Sequence, residues 1–332
     1  MIKHGHGGDL KAFSKEIKCE INEVIDLSSN INFLQPKLDI DFNSLDISAY
    51  PNYDDLYKAI AKNYQIDIEQ IELFNGATTA IYSLFRELNL DHCTLYAPCY
   101  MEYQKSAELY GYTIEYINRF ENINTHPKEN SLIIFVNPST PDGKFYPIEE
   151  MIPIWRKKGC TILIDESFLD FTPFESATKY LDYPKLYILK SMTKFYSSAG
   201  IRVGAIISNQ KSIKRLQKSE PLWKISQFDS AYLQSALRDK NFVEKSQTIN
   251  NAYRGYLLEM LKKSNLIENI YPSSANFVMV KLKDIDAKTF QEKLIPHKIM
   301  IRNCANFDFL DENFIRIAIK DITSLRLLEN IL

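Results

Sequence analysis

The sequence predicts an α/β protein: a mostly parallel sheet in an α/β/α large domain, with a smaller α+β domain. Three observations predict it. Continuous apolar runs, such as Ser131-Leu-Ile-Ile-Phe-Val136 and Cys160-Thr-Ile-Leu-Ile164, have the character of strands buried on both faces. Amphipathic helical stretches alternate with those runs, a rhythm that implies crossovers and parallel pairing. Beyond Ile207 the rhythm fades. The boundaries follow: an N-terminal arm, 1–34, packing with the small domain; a large domain, 35–210; and a small domain, 211–332.

Composition narrows the function classes. The 332 residues suffice for two core-bearing units. With 45% hydrophobic and 25% charged residues, the chain has ordinary globular composition. Lys+Arg is 40 and Asp+Glu 42, a balance of −2 that argues against nucleic acid or an anionic membrane as main partner. The start lacks the apolar stretch of a signal peptide, and no run reaches the ~18 apolar residues of a membrane span. Cysteines 19, 93, 99, 160 and 304 show neither metal spacing nor a disulfide framework. A cytoplasmic protein without a metal is expected.

Taken in order, Leu10–Cys19 reads as a helix, followed by the apolar run Val24–Leu27 and the polar Ser28-Ser29-Asn30-Ile31-Asn32. His4 and His6 have no third metal ligand in view, and an ordinary terminus accounts for them. Tyr50-Pro51 is a turn leading into a helix from Asp55 to Tyr64. Asn75-Gly76-Ala77-Thr78-Thr79 opens an apolar helix, Ala80–Leu88. Free N–H groups and the helix dipole favour an anion there, while capping by Thr78 or Thr79 accounts for the residues equally. Cys93–Ala97 is a strand, with Tyr100 just beyond it.

Asn137-Pro-Ser-Thr-Pro-Asp-Gly143 follows the strand ending at Val136, where α/β proteins place ligands. After a helix, Ile148–Lys158, the strand ending in Asp165 carries a carboxylate that is costly to bury unpaired. Strands Leu186–Leu189 and Val203–Ile207 bracket a loop bearing Ser191, Thr193, Lys194 and Arg202. A long helical stretch from Pro221 to about Ser264 comes next, then a strand, Ser274–Val280. Two strands within Ile299–Ile319, joined by a polar loop, close the chain. Arg316 lies in an alternating strand pattern, as a rim ion pair or as a bidentate grip on a carboxylate.

The loop around Lys194 has a specific chemistry. Hydroxyls and a guanidinium suit a phosphate. A lysine desolvated beside other cations suits a Schiff base. Both together fit pyridoxal 5'-phosphate.

Ser191-x-Thr193-Lys194-x-x-x-x-x-Gly200-x-Arg202-x-Gly204 resembles the cofactor-lysine segment of fold-type I pyridoxal-phosphate enzymes, the aminotransferase class I/II superfamily. Asn137-Pro-x-x-Pro-x-Gly143 is similar to that superfamily's loop. The resemblance implies the fold-type I transferase fold, with Lys194, Asp165 and Tyr100 as catalytic residues. Lys194 would form the imine, Asp165 pair with the pyridine nitrogen, Tyr100 stack on the ring and Asn137 bond the phenolic oxygen. Gly76, Ala77, Thr78, Ser191, Thr193 and Arg202 would hold the cofactor phosphate, with Tyr50 reaching it from a neighbouring subunit. A tyrosine packing at a turn fits Tyr50 as well.

Within the superfamily, three segments are similar to the threonine-phosphate decarboxylases. They are His6-Gly-Gly-Asp9 with Ile25–Asn32, then Asp165-Glu-Ser-Phe168-Leu-Asp-Phe171, then Ile301-Arg302-Asn-Cys-Ala-Asn306-Phe307 with Phe314-Ile-Arg316-Ile-Ala318. Histidinol-phosphate aminotransferases carry a tyrosine where this chain has Phe168. Asp9, Phe33, Asn303, Lys224 and Ser226 depart from the decarboxylase pattern, and the last two are expected near the substrate. The resemblance implies His6, Asn30, Asn32, Asn137, Arg302 and Arg316 as substrate-binding. Arg316 would hold the carboxylate, with Arg302 near the carboxylate or the phosphate. The activity implied is decarboxylation of a small amino acid O-phosphate, threonine or serine phosphate, to the amino-alcohol phosphate by a homodimer with shared active sites. The alternative is an aminotransferase of the histidinol-phosphate type.

Overall fold

The computed structural model describes residues 7–332. His4 and His6 lie outside the described residues. Helix α1 (Leu10–Ile17) and strand β1 (Ile25–Asp26) form the arm, and α2 (Asp54–Tyr64) follows. The sheet-forming part runs β2 (Ile71–Phe74), α3 (Gly76–Leu88), β3 (His92–Ala97), α4 (Glu102–Leu109), β4 (Thr113–Asn118) and β5 (Leu132–Val136). It continues with α5 (Met151–Lys157), β6 (Thr161–Asp165), β7 (Leu186–Lys190), the single turn α6 (Met192–Phe195), β8 (Gly204–Ser208) and α7 (Gln210–Gln217). The remainder is α8 (Gln227–Arg238), α9 (Phe242–Lys263), β9 (Ile267–Ile270), β10 (Phe277–Leu282), α10 (Ala287–Leu294), β11 (Ile299–Met300), β12 (Arg302–Asn303), β13 (Phe314–Ala318) and α11 (Ile322–Glu329).

The large sheet has the order β2-β8-β7-β6-β5-β3-β4. Strands β7, β6, β5, β3 and β4 are parallel, and β8 runs antiparallel between β7 and β2. The central strands β5, β6, β7 and β8 are buried at every position. That burial explains their unbroken apolar runs: helices cover both faces, so no side chain meets water. The fold is α/β, as the sequence predicts.

A second sheet, β12-β13-β10-β9, is antiparallel. The arm joins it through β1, which pairs parallel with β11, Ile25 opposite Ile299. Three details differ from the sequence expectations. The stretch 221–264 holds two helices, and the first starts only at Gln227, where the Ser226 hydroxyl accepts the Asp229 N–H and caps it. Residues beyond 210 also join the large layer: Ile225, Leu233, Ala236 and Phe242 share a core with Leu56, Ile60 and Leu73. Lastly, the Lys194 loop contains the turn α6, because its small and apolar residues pack back against the sheet.

Candidate active site

Four strands deliver candidate residues at their carboxyl ends: Tyr100 after β3, Asn137 after β5, Asp165 closing β6, and Ser191–Lys194 after β7. Parallel register sets their order, with Val136 opposite Asp165 and Asp165 opposite Leu189. The Asn137 N–H donates to the Asp165 carbonyl at 2.8 Å. Such an edge is the ordinary ligand position of parallel sheets.

The phosphate-cup candidates converge on the start of α3. Gly76 is the first residue of that helix, at φ +82°, so the Gly-Ala-Thr-Thr run belongs to the first turn rather than to a preceding loop. A Cβ at Gly76 would lie 2.4 Å from Arg202 Nη2, so the arginine packs directly on the glycine. Gly204 likewise packs on the Ala77 amide, where a Cβ would come within 2.5 Å. The Asn75 side chain makes no capping bond, which leaves the first-turn N–H groups to another acceptor. Ser191 Oγ and Thr193 Oγ1 stand 3.2 Å apart, and Lys194 Nζ donates to Ser191 Oγ at 3.4 Å. Free helix amides, a guanidinium and paired hydroxyls suit a phosphate.

Burial pulls the Lys194 pKa below its ordinary value, with Arg202 and Arg316 acting in the same direction and Asp165 opposing. Asp165 is buried. Its Oδ2 accepts from the Tyr103 hydroxyl at 2.7 Å, and its Oδ1 accepts from the Ser167 N–H at 2.8 Å and the Ser167 hydroxyl. The Tyr100 hydroxyl lies 3.5 Å from Thr78 Oγ1, and its ring meets Tyr103 edge-on. The Asn137 amide is clamped by the Tyr146 backbone, donating to its carbonyl and accepting from its N–H at 2.9 Å each. One Nδ2 hydrogen remains for a ligand.

Two arginines come from the small sheet. Arg316 Nη1 donates to Thr140 Oγ1 and Nη2 to the Ser28 carbonyl, each at 3.1 Å. Its Nε is buried without a partner, and no carboxylate pairs with it among the described residues. Burial lowers its pKa to about 10. Arg302 Nη2 donates to Asn306 Oδ1 at 2.6 Å. Aromatic rings link the two groups of residues. Lys194 Nζ sits 5.4 Å from the Phe168 ring centre, Phe168 packs edge-on against Phe277, and the Arg316 guanidinium lies 4.9 Å from the Phe277 ring centre.

The other expected residues have the following surroundings. The Asn32 amide spends both hydrogens on the Phe195 carbonyl and Ser246 Oγ, and its oxygen on the Leu34 N–H. Its own N–H donates to the Lys194 carbonyl, so it braces the lysine turn from behind. Asn30 uses its carbonyl to accept from Asn276 Nδ2. Tyr50 is 76% exposed and stacks on Trp223 at 4.2 Å, outside the cup within one chain. Lys224 pairs with Glu72 and Glu220 at the sheet edge. A groove of about 810 Å³ between α2 and α8–α9, lined by Lys58, Lys62 and Lys240, is separate from all of these. Tyr103, Ser167 and Thr140 escape the sequence reading. Their signal is spacing: Tyr103 follows Tyr100 by one helical turn, and Ser167 follows Asp165 by two residues.

Comparison with known proteins decides the family. The model of aminotransferase class I and II matches residues 22–331. The chain belongs to this family. Its cofactor is pyridoxal 5'-phosphate, which the glycine-packed Arg202 and the uncapped α3 amides suit. Among curated proteins, the adenosylcobalamin biosynthesis bifunctional protein CobDQ of Leptospira interrogans is 29% identical over 95% of this chain. This chain spans only 39% of that protein's length. The threonine-phosphate decarboxylase of Salmonella typhimurium is 24% identical, covering 96% of this chain and 93% of its own. The histidinol-phosphate aminotransferase structure from Clostridium acetobutylicum superposes with a TM-score of 0.80 at 27% identity, over 92% of this chain and 97% of that one. Among the described residues no helix is long and apolar enough to cross a membrane.

Proposed function

We propose that this family member decarboxylates a small amino acid O-phosphate, threonine or serine phosphate, to the amino-alcohol phosphate. The observation that carries the reading is Arg316: a buried cation with an unspent Nε and no carboxylate partner among the described residues. Such a group calls for an anion from outside the chain. Arg302, directly across the β-ladder, raises the positive potential there. A phosphate, carrying about −1.5 to −2 charges, suits that potential better than a carboxylate does.

Pyridoxal phosphate, when bound, supplies a ring that accepts the electron pair released at the substrate's Cα. The chain's residues do the rest. The depressed pKa of Lys194 enlarges its neutral, nucleophilic fraction. Asp165, at the end of β6 and set by three donors, would pair with the ring nitrogen of the bound cofactor. Lys194 Nζ is the proton carrier that serves Cα once carbon dioxide has left.

Differential binding sets which anion Arg316 holds. A departing carboxylate loses its charge, so an arginine on it would favour the ground state over the transition state. Decarboxylation therefore assigns the phosphate to Arg316, in place of the carboxylate expected from sequence. It leaves the carboxylate away from Arg316. The similarity to a histidinol-phosphate aminotransferase supports the second reading, transamination, in which a carboxylate can occupy the arginine.

The test is carbon dioxide release from phosphoserine and phosphothreonine by the holoenzyme, without a keto acid. Catalytic release supports decarboxylation. No release, with conversion of the cofactor to its amine form by glutamate or a phosphorylated amine, moves the protein to the aminotransferases.

A further inference from the structure

The Asp165 carboxylate is held by more than its own strand. Ser167, two residues on, gives a local pair of donors to Oδ1. Tyr103 gives the long-range donor, reaching Oδ2 at 2.7 Å across a 62-residue separation. Tyr103 is completely buried, and α4 aims it: Tyr103 N–H donates to the Tyr100 carbonyl, so one helical turn carries both the ring beside Thr78 and the hydroxyl on Asp165. Each carboxylate oxygen has two lone pairs, so the bond from Tyr103 leaves one on Oδ2 for a ring N–H.

We propose that Tyr103 is a positioning residue whose hydroxyl orients the Asp165 carboxylate, and so supports the proton of the Asp165–pyridine pair on the ring nitrogen. This rests on the reading that Asp165 faces that nitrogen. The shared proton has two places, Oδ2 of Asp165 or the ring nitrogen. A donor to the carboxylate favours leaving the shared proton on the ring nitrogen. Without the hydroxyl, the proton moves toward Oδ2 and the ring becomes a weaker electron acceptor. Other titratable groups face the same region: Lys194 and Lys190 from either end of the β7 loop, Cys99 and Tyr100 near α4, and Arg202 and Arg316 across the cup. None of the hydrogen bonds to the Asp165 carboxylate comes from these groups.

The test is a pH titration of the visible absorption of the lysine-bound cofactor, at saturating cofactor, with cofactor affinity measured in parallel. A positive ring nitrogen lowers the proton affinity of the nearby imine. Tyr103→Phe should therefore raise the titration midpoint by about one pH unit, the size of one hydrogen bond to a charged group. Cofactor should bind about tenfold more weakly, by the same conversion. In an Asp165→Asn background, Tyr103→Phe should add nothing to the midpoint. If Asp165→Asn moves the midpoint and Tyr103→Phe leaves it at the wild-type value, the tyrosine inference is overturned and the role of Asp165 stands. If neither moves it, both fail. Should Tyr103→Phe not fold by circular dichroism, 3-fluorotyrosine placed at position 103 keeps the shape and strengthens the donor. It should lower the midpoint, and no change would overturn the proposal.

Discussion

Arg302 lies directly opposite Arg316 in the antiparallel β12–β13 ladder, and both are only 5% exposed. Like charges placed opposite each other weaken a sheet, and the burial of Arg316 adds a desolvation cost. On the proposed reading, a bound anion would offset that cost. Arg316→Met should leave apo-protein stability in urea unchanged or raised. It should cost about 2–5 kcal/mol of affinity for phosphoserine, the scale for losing one partner of a buried charge pair. Cofactor affinity should change far less, as titration of the two ligands would record. Equal loss of both would contradict the assignment.

Lys194 makes a pH-dependent contribution. Its folded pKa is depressed, chiefly by burial, below the ordinary 10.5. Below the folded pKa the amine is charged in both states, and folding bears the full desolvation cost. As pH rises from the folded value through 10.5 the cost disappears, because the amine is neutral in both states. Apo Lys194→Met should therefore be more stable than wild-type apo-protein at neutral pH. The advantage should shrink as pH climbs through that window, read by denaturation midpoints at several pH values.

Lys190 and Glu166 form an ion pair of 2.6 Å with side chains 2% and 3% exposed. Glu166 also accepts from Ser176 Oγ and the Ala177 N–H, and Asp170 accepts from the Tyr64 hydroxyl close by. Lys190→Met leaves these carboxylates with no cation beneath the cofactor loop. A loss of about 3–5 kcal/mol in chemical denaturation is expected. The double variant with Glu166→Gln should recover part of it.

Gly76 accepts no side chain. Its φ of +82° disfavours any Cβ, and the one added would collide with Arg202. Gly76→Ala should displace the guanidinium from the α3 terminus and weaken cofactor binding by at least tenfold, while Gly111→Ala, whose Cβ meets nothing, should not. Cofactor titration of the two apo-proteins makes the comparison.

The placement of Asp165, Asn137 and Lys194 at strand ends is legible in the sequence, because each ends or follows a buried apolar run. The Arg302–Arg316 pairing was not legible. Register across a ladder depends on the polar loop between two short strands, and no single-sequence pattern fixes it. Tyr103 escapes the sequence because its hydroxyl partner, Asp165, lies 62 residues away. Asn32 was read as a substrate ligand from its motif. Its side chain is spent on the chain itself, a commitment set by α9 and the lysine turn that only packing reveals. The helix start of 221–264 was missed because Ser226 acts as a cap, which composition does not separate from a ligand.

The pairing of β1 with β11 ties residue 25 to residue 299, and Asn32, just past β1, bonds the carbonyl of Lys194. A chain still emerging from the ribosome holds the lysine, the glycine turn and the ring carboxylate long before it holds β11. The arm has nothing to pair with until then, and the lysine turn lacks its brace. The strand pairing that seats the arm, and with it Asn32 behind the lysine turn, therefore comes after the Lys194 loop in chain order.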